Sequence, residues 1–176
     1  MKNGEFSVMI GLAVDGEAVL GVVLEPALQR LTFASKGDGC WTATGEEKAR
    51  RCRVSPCSIL PESTLIQSHY KPETPNRPSE LLQPAKNLHT YSAGVKLAYV
   101  ARGDADLYVN DYPNFHDWDI CAGHFLVVEA GGTVTGLHGK TIRYGLPGYS
   151  QDDGLLATNG ILHRTVIERL ASLELS

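Results

Sequence analysis

The sequence lacks the features that mark several classes of protein. Its 176 residues carry a net charge of −4, so there is no overall basic field to hold a nucleic-acid polymer. The apolar N-terminal stretch SVMIGLAV is too short to span a membrane. The four cysteines, Cys40, Cys52, Cys57 and Cys121, show neither a regular framework nor zinc-ligand spacing. We therefore expect reduced thiols in a cytoplasmic protein that does not cross a membrane.

Two further motifs are missing, one typical of serine hydrolases and one typical of nucleotide-binding proteins. The chain has no G-x-S-x-G elbow, which leaves Ser/His/Asp nucleophilic chemistry unsupported. It has no G-x-x-x-x-G-K-[ST] loop, the Walker-type device for cradling phosphates. What is present is an ordinary globular composition, 43% hydrophobic and 20% charged.

The first third of the chain is rich in β-type patterns. Two apolar runs flank Asp15-Gly16, a strong hairpin signal, and a third run leads to a glycine turn at Gly37 and Gly39. The stretch CSILPES, with Pro56 and Pro61, is typical of a linker. These patterns predict an antiparallel-sheet subdomain over residues 1–57.

The remainder, residues 58–176, alternates helical and strand patterns and predicts an α/β subdomain. SAGVKLAYVARG predicts a helix that ends at Gly103, DADLYVN a strand, and DWDICAGHFLVVEAGG a helix that ends at Gly131. TVTGL and GLLATN predict strands, and GILHRTVIERLASL predicts an amphipathic closing helix.

Asp119 opens the second of these helices and has two interpretations. Alone, it is most simply a first-turn acid that complements the helix dipole. Ala122 is small enough for the first turn to pack tightly, Trp118 would anchor the turn by burial, and a short acid on a rigid terminus suits a hard cation. Asp111 and Asp117 are interpreted as solvated acids.

The stretch WDICAGHFLVVEAGG resembles the C-terminal signature of the inositol monophosphatase superfamily. Other stretches agree in order and spacing: GEFSVMIGLAVDGEAVLGVVLEP, QSHY, SAGVKLAYVARGDADLYV and GLLATNG. The resemblance covers nearly the whole chain. It implies an α+β / α/β layered sandwich of the sugar-phosphatase type and a Mg²⁺-dependent phosphomonoesterase activity that uses a metal-activated water.

The chain departs from the family pattern at its start. The family's acidic G-E-E segment and its D-P-[IL]-D-G-T loop would both precede Lys2, and neither occurs there. The Gly45–Glu47 triplet lies after the first strands, in the wrong place. We interpret the fold as N-terminally truncated. No catalytic residue is assigned, because the residues that would activate the water belong to the missing motifs, and we expect little turnover by this chain alone.

The resemblance carries over to five positions. Asp119 corresponds to a metal ligand and would hold Mg²⁺. His69 and Lys96 resemble substrate-contacting positions of the bisphosphate nucleotidase branch, and Ser68 and Ser92 would donate hydroxyls to phosphate. Local alternatives remain: a strand-end histidine at His69, a snorkelling lysine at Lys96 and a helix N-cap at Ser92.

The favoured substrate is a small phosphorylated metabolite, a 3'(2'),5'-bisphosphate nucleotide before an inositol phosphate. A non-catalytic remnant and an unrelated α/β binding module are the alternatives. Without covering helices, the strands SVMIGLAV and AVLGVVLEP would expose apolar area, which favours self-association, with a homodimer as one way to cover it.

Overall fold

The computed structural model describes residues 4–69, 76–112 and 115–171. Its first sheet is a five-stranded antiparallel meander in the order β1-β2-β3-β4-β5. The strands are β1 (Val8–Val14), β2 (Glu17–Glu25), β3 (Arg30–Ser35), β4 (Gly39–Thr44) and β5 (Arg50–Arg51). The predicted hairpin is confirmed: Asp15 and Gly16 have φ of 51° and 80°, the pair of positive values that a two-residue turn needs.

The second sheet is mixed, in the order β10-β12-β8-β6-β7. Its strands are β6 (Thr64–Gln67), β7 (Lys86–His89), β8 (Leu107–Asn110), β10 (Thr133–Thr135) and β12 (Leu155–Thr158), while β9 (Phe115–His116) and β11 (Ser150–Gln151) form a separate ribbon. β6 runs parallel to both β7 and β8, and β12 runs antiparallel to β8 and β10. The carboxyl ends of β6 and β8 therefore meet at one edge.

The described residues contain four α-helices in two layers: α1 (Arg77–Leu82), α2 (Ala93–Arg102), α3 (Asp117–Glu129) and α4 (His163–Leu170). Helices α2 and α3 pack against each other between the two sheets. Helices α1 and α4 cover the far face of the second sheet, where Leu82 and Val166 pack with Leu65 and Leu107. Ser92 caps α2 and Gly103, with φ of 75°, ends it as the sequence predicts. The end of the predicted closing helix, residues 172–173, lies outside the described ranges.

Two glycines let α3 approach the first sheet closely. A Cβ on Gly21 would lie 2.2 Å from the backbone oxygen of Ala122, and one on Gly11 would lie 2.9 Å from the Ala122 nitrogen. Real Cβ atoms do not approach backbone that closely, so the absence of a side chain at both positions sets the distance between helix and sheet. The sequence alone shows these glycines only as interruptions of a strand pattern.

A buried ion pair joins α2 to the first sheet. Arg102 donates from Nη1 to Glu25 Oε2 at 2.9 Å and to Thr32 Oγ1 at 3.1 Å, and its side chain is fully buried. Arg30 makes a second, bidentate contact with Glu25. One core therefore contains residues from both predicted subdomains, and the division at residues 57 and 58 stays a prediction.

The opposite face of the first sheet carries uncovered apolar side chains. Ile10 is 60% exposed, and Val8, Leu12 and Val14 are also exposed along β1. This agrees with the exposure that the sequence predicts for SVMIGLAV, but the same prediction for AVLGVVLEP is wrong, because the apolar residues of β2 are half-buried or buried between β1, β3 and α3. None of the four helices in the described part of the chain combines the length and apolarity that crossing a bilayer requires.

Candidate functional site

The edge where β6 and β8 end contains three of the predicted site residues. Ser68 and His69 follow β6 directly, and the N-terminal half of α2 places Lys96 beside them. Together with Asp111 and several aromatic side chains they line a cavity of about 330 Å³. The remaining lining residues are Tyr91, Ala93, Tyr108, Asn110, Tyr112 and Phe115.

Lys96 is buried, with 1% of its surface exposed. Its Nζ donates to Ser68 Oγ at 2.7 Å, to the Tyr91 carbonyl at 3.1 Å and to the Thr90 carbonyl at 3.3 Å. It also lies 5.1 Å from the centre of the Tyr108 ring. The alternative of a snorkelling lysine is therefore wrong, because the ammonium points inward and not to solvent.

Burial lowers the pKa of Lys96 from 10.5 to about 8. The partners of its Nζ are neutral oxygens, and no ion pair to Lys96 exists among the residues that the structure describes. A buried cation that is hydrogen-bonded but not neutralised favours an anion as its counter-charge. The Lys96 end of the cavity is therefore suited electrostatically to a small anionic ligand, although Asp111 adds a carboxylate to the same lining.

His69 lies at the mouth of the same cavity. Its Nε2 is 2.8 Å from Glu5 Oε2, and its ring is 4.5 Å from the ring of Tyr91. The contact with Glu5 supports the local interpretation of a satisfied strand-end histidine. The imidazole face still borders the cavity, so a role toward a ligand stays a prediction.

Ser92 serves as the N-cap of α2. Its Oγ accepts a hydrogen bond from Val95 N and shares another, 2.7 Å long, with Ser7 Oγ. The N-cap alternative is confirmed, and Ser92 is not among the residues that line the cavity. Its role as a phosphate donor stays a prediction.

Asp119 lies apart from the cavity, in the first turn of α3. Its Oδ2 accepts a hydrogen bond from the backbone nitrogen of His116 at 2.9 Å, so the carboxylate acts as a helix-terminal acid. Within the described ranges no hydrogen bond reaches the other oxygen, Oδ1. The same carboxylate could therefore offer one oxygen to a cation.

Two expectations about the neighbours of Asp119 are wrong. Trp118 is 62% exposed and stacks on His116 at 4.5 Å, so it does not anchor the turn by burial. Asp117 is not simply solvated, because it accepts hydrogen bonds from Gly145 N and Gln151 Nε2. Those bonds connect the start of α3 to β11 and to the loop before it, a contact that no local pattern predicts.

The described residues do not form a complete metal site. No group of three or more histidine, cysteine, aspartate or glutamate side chains is placed to hold an ion in residues 4–69, 76–112 and 115–171. Mg²⁺ needs a nearly octahedral oxygen shell, and one carboxylate supplies only part of it. Among the described residues, the carboxylate of Asp119 therefore fits one ligand position of a Mg²⁺ ion.

A second cavity, of about 520 Å³, was not predicted from the sequence. It lies between the free edge of β1 and the start of α3, and its lining includes Ile10, Gly11, Asp117 and Trp118. The sequence indicates it only through the apolar run of β1, which forms part of its lining.

The layers of the fold and the cavity that contains Lys96 place the chain among layered α+β proteins with a sheet-edge pocket for a small anion. A model of the inositol monophosphatase family matches residues 2–174. The chain therefore belongs to the inositol monophosphatase family.

Similar proteins include phosphatases with different names. A 3'(2'),5'-bisphosphate nucleotidase of Salmonella typhimurium is 35% identical over 145 residues, covering 81% of this chain and 56% of that protein. A histidinol-phosphatase of Mycobacterium tuberculosis is 30% identical over 166 residues, covering 92% and 60%. The solved inositol monophosphatase from Anabaena (Nostoc) superposes with a TM-score of 0.78 at 27% identity, covering 97% and 65%. The chain thus spans about three fifths of the length of these relatives.

Proposed function

We propose that this chain forms the substrate-binding part of a metal-dependent phosphomonoesterase that acts on a small phosphorylated metabolite. The observation that supports it is the buried, un-neutralised ammonium of Lys96 in a cavity bordered by a hydroxyl and a histidine. A phosphate in this cavity would supply a counter-charge in direct contact with the ammonium, whose hydrogen-bond partners are all neutral oxygens. Membership of a phosphatase-rich family makes a phosphate ester the natural anion.

Among phosphate esters, we favour a 3'(2'),5'-bisphosphate nucleotide. Such a ligand has one phosphate for the reaction centre and a second for a remote cation such as Lys96, which would act as a point charge. Tyr91 and Tyr112 line the cavity with exposed rings, and His69 stands beside Tyr91. A nucleobase can stack on such rings, whereas an inositol ring has no π face.

Asp119 is proposed as one ligand of the metal. When bound, the metal would polarise the phosphate and activate a water, which is chemistry that the described residues do not supply themselves. Because one carboxylate is a weak site, Mg²⁺ binding by this chain should be weak. Titration of the wild type and of Asp119→Asn tests the ligand role: unchanged Mg²⁺ binding would count against it.

The substrate proposal is tested by calorimetric titration of the chain with adenosine 3',5'-bisphosphate, adenosine 5'-monophosphate and inositol 1-phosphate. We expect the bisphosphate to bind more tightly than either monophosphate, and Lys96→Met to remove that advantage. Lys48→Met is the matched control, because Lys48 is exposed and lies outside the cavity. Equal binding of all three ligands, or an unaffected Lys96→Met variant, would refute the assignment.

Turnover separates an enzyme part from a non-catalytic binding module. We expect little or no hydrolysis of these esters by this chain in millimolar Mg²⁺. Turnover at the level of a complete phosphatase would contradict the incomplete metal site. A longer protein in which a segment with a D-P-[IL]-D-G-T loop precedes this chain gives the second test. Hydrolysis by that longer protein would support the phosphatase proposal, and no hydrolysis by it would favour the non-catalytic alternative.

A further inference from the structure

Cys40 and Cys52 face each other at the edge of the first sheet. β4 pairs with β5 in the register Thr42 to Arg50 and Trp41 to Arg51, so the next pair in sequence is Cys40 with Cys52. The backbone nitrogen of Cys52 donates to the Cys40 carbonyl at 2.7 Å, which extends the ladder by that pair.

This pairing brings the two thiols to one side of the sheet. Directly opposed residues of an antiparallel ladder have Cα atoms about 4.5 to 5.5 Å apart. A disulfide needs a Cα separation of roughly 4.4 to 6.8 Å, so the backbone already has a compatible spacing. Both cysteines are free, both lie in the main core, and they are 0% and 1% exposed.

The two side chains are also coupled electrostatically. A hydrogen bond between the thiols raises the pKa of Cys40, and burial raises it further. The same hydrogen bond lowers the pKa of Cys52, and Arg50 and Arg102 also lower it, against the opposing effect of burial. The charge of Arg102 also lowers the pKa of Cys40, and its Nη2 is buried without a hydrogen-bond partner among the described residues. Cys52 directly follows the exposed strand β5, so opening of that strand would expose Cys52 first.

We propose that Cys40 and Cys52 form a reversible thiol–disulfide site, oxidised by a small-molecule disulfide such as oxidised glutathione. In the first step the Cys52 thiolate attacks one sulfur of the small disulfide, which forms a mixed disulfide and releases one thiolate. Cys40 then loses its proton to solvent and attacks the Cys52 sulfur, releasing the second thiolate. Two protein thiols are oxidised to one disulfide, and one small disulfide is reduced to two thiols.

The fold provides an access route to the buried pair. β5 contains only two residues, both exposed, and is the last strand of the sheet. Short edge strands open locally at low free energy, so an oxidant can reach Cys52 without global unfolding. The bridge would fix the start of the segment that crosses to the second sheet, where Val54 N donates to the Ala130 carbonyl and Ser55 donates to Asp106.

Peptide mapping tests the site. The folded chain is incubated with oxidised glutathione, alkylated, digested and analysed by mass spectrometry, with circular dichroism to verify folding. We expect a cross-linked peptide pair joining Cys40 to Cys52, short by two hydrogen atoms and separated by dithiothreitol. Cys57→Ala is the matched control, since Cys57 lies outside the pair, and it should leave the cross-link unchanged.

Three results would overturn the proposal. One is glutathione retained on Cys52 without an internal bridge. Another is a bridge that forms only when urea has unfolded the chain. A third is a bridge that involves Cys57 or Cys121 instead. Cys52→Ala should abolish the cross-link while keeping the fold. If that variant misfolds, the wild type and Cys57→Ala still decide whether the Cys40–Cys52 bridge forms.

Discussion

The buried ammonium of Lys96 predicts a specific pH dependence of stability. Burial lowers its pKa from 10.5 to about 8 in the folded chain, and the unfolded chain keeps the ordinary value. Between these two pH values the unfolded state holds a proton that the folded state has lost. The free energy of unfolding must therefore rise with pH across this window.

The expected rise is about 3 kcal/mol, because each pKa unit corresponds to about 1.4 kcal/mol. Below about pH 8 both states are protonated, and the full cost of burying the charge is present. Above about pH 10.5 neither state is protonated and the cost is gone. Other groups titrate in the same range, so the measured quantity must be a difference between wild type and a variant without the ammonium.

Urea unfolding of wild type and Lys96→Met at about pH 7, 8, 9 and 10.5 supplies that difference. We expect wild type to gain about 3 kcal/mol relative to Lys96→Met across the series, and the exposed Lys48→Met control to show no such gain. A difference between wild type and Lys96→Met that stays flat with pH would refute the burial of a charged lysine. If the proposed function is right, saturating bisphosphate should restore the pKa of Lys96 and flatten the curve.

Three further predictions concern packing. Gly21→Ala should destabilise the chain by about 3 kcal/mol in urea unfolding, since its new Cβ meets the backbone of Ala122 and neither backbone can yield without shifting α3. Glu25→Gln should cost roughly 2 kcal/mol in the same assay because it removes one of the two carboxylates that pair with the buried guanidinium of Arg102, the other being Asp104; an unchanged midpoint would show that the Glu25 pair adds nothing to stability. Ile10→Lys should lower self-association in sedimentation velocity while keeping the circular dichroism spectrum, and an unchanged sedimentation coefficient would place any contact elsewhere.

The regular elements could be predicted because local chemistry specifies them. Asp15-Gly16 and Gly103 adopt the positive φ values that their residue types favour, and Ser92 caps its helix. The strand β7 (Lys86–His89) was not predicted, because its sequence KNLH has one large apolar residue and its pairing with β6 supplies the order. The ribbon of β9 and β11 was missed for a similar reason: two-residue strands have no periodicity to detect.

The site could be predicted by residue but not by arrangement. Ser68 and His69 lie beside Asp111 because the parallel strands β6 and β8 end at one edge, and α2 adds Lys96 to them. A single pattern along the chain does not contain this relation. The burial of Lys96 likewise follows from packing between the sheets and from three oxygens, of which Ser68 Oγ comes from a distant part of the sequence and the Thr90 and Tyr91 carbonyls from the loop before α2. Helical spacing alone was equally consistent with a lysine at a helix flank.

The two interpretations of Asp119, a helix-terminal acid and a metal ligand, turn out to be compatible. The bond from His116 N occupies Oδ2 and fixes the rotamer of the carboxylate, which would otherwise rotate freely at a half-exposed position. A ligand held in one orientation loses less entropy when a cation binds, so the cap would favour coordination through Oδ1. Loss of the cap should therefore weaken Mg²⁺ binding even where the carboxylate is kept. Replacing His116 by proline removes that N–H donor, together with the imidazole whose Nδ1 lies 3.7 Å from Asp119 Oδ2, while retaining Asp119. His116→Ala removes the imidazole alone and is the matched control; Mg²⁺ binding as strong in the proline variant as in the alanine variant would separate the two roles.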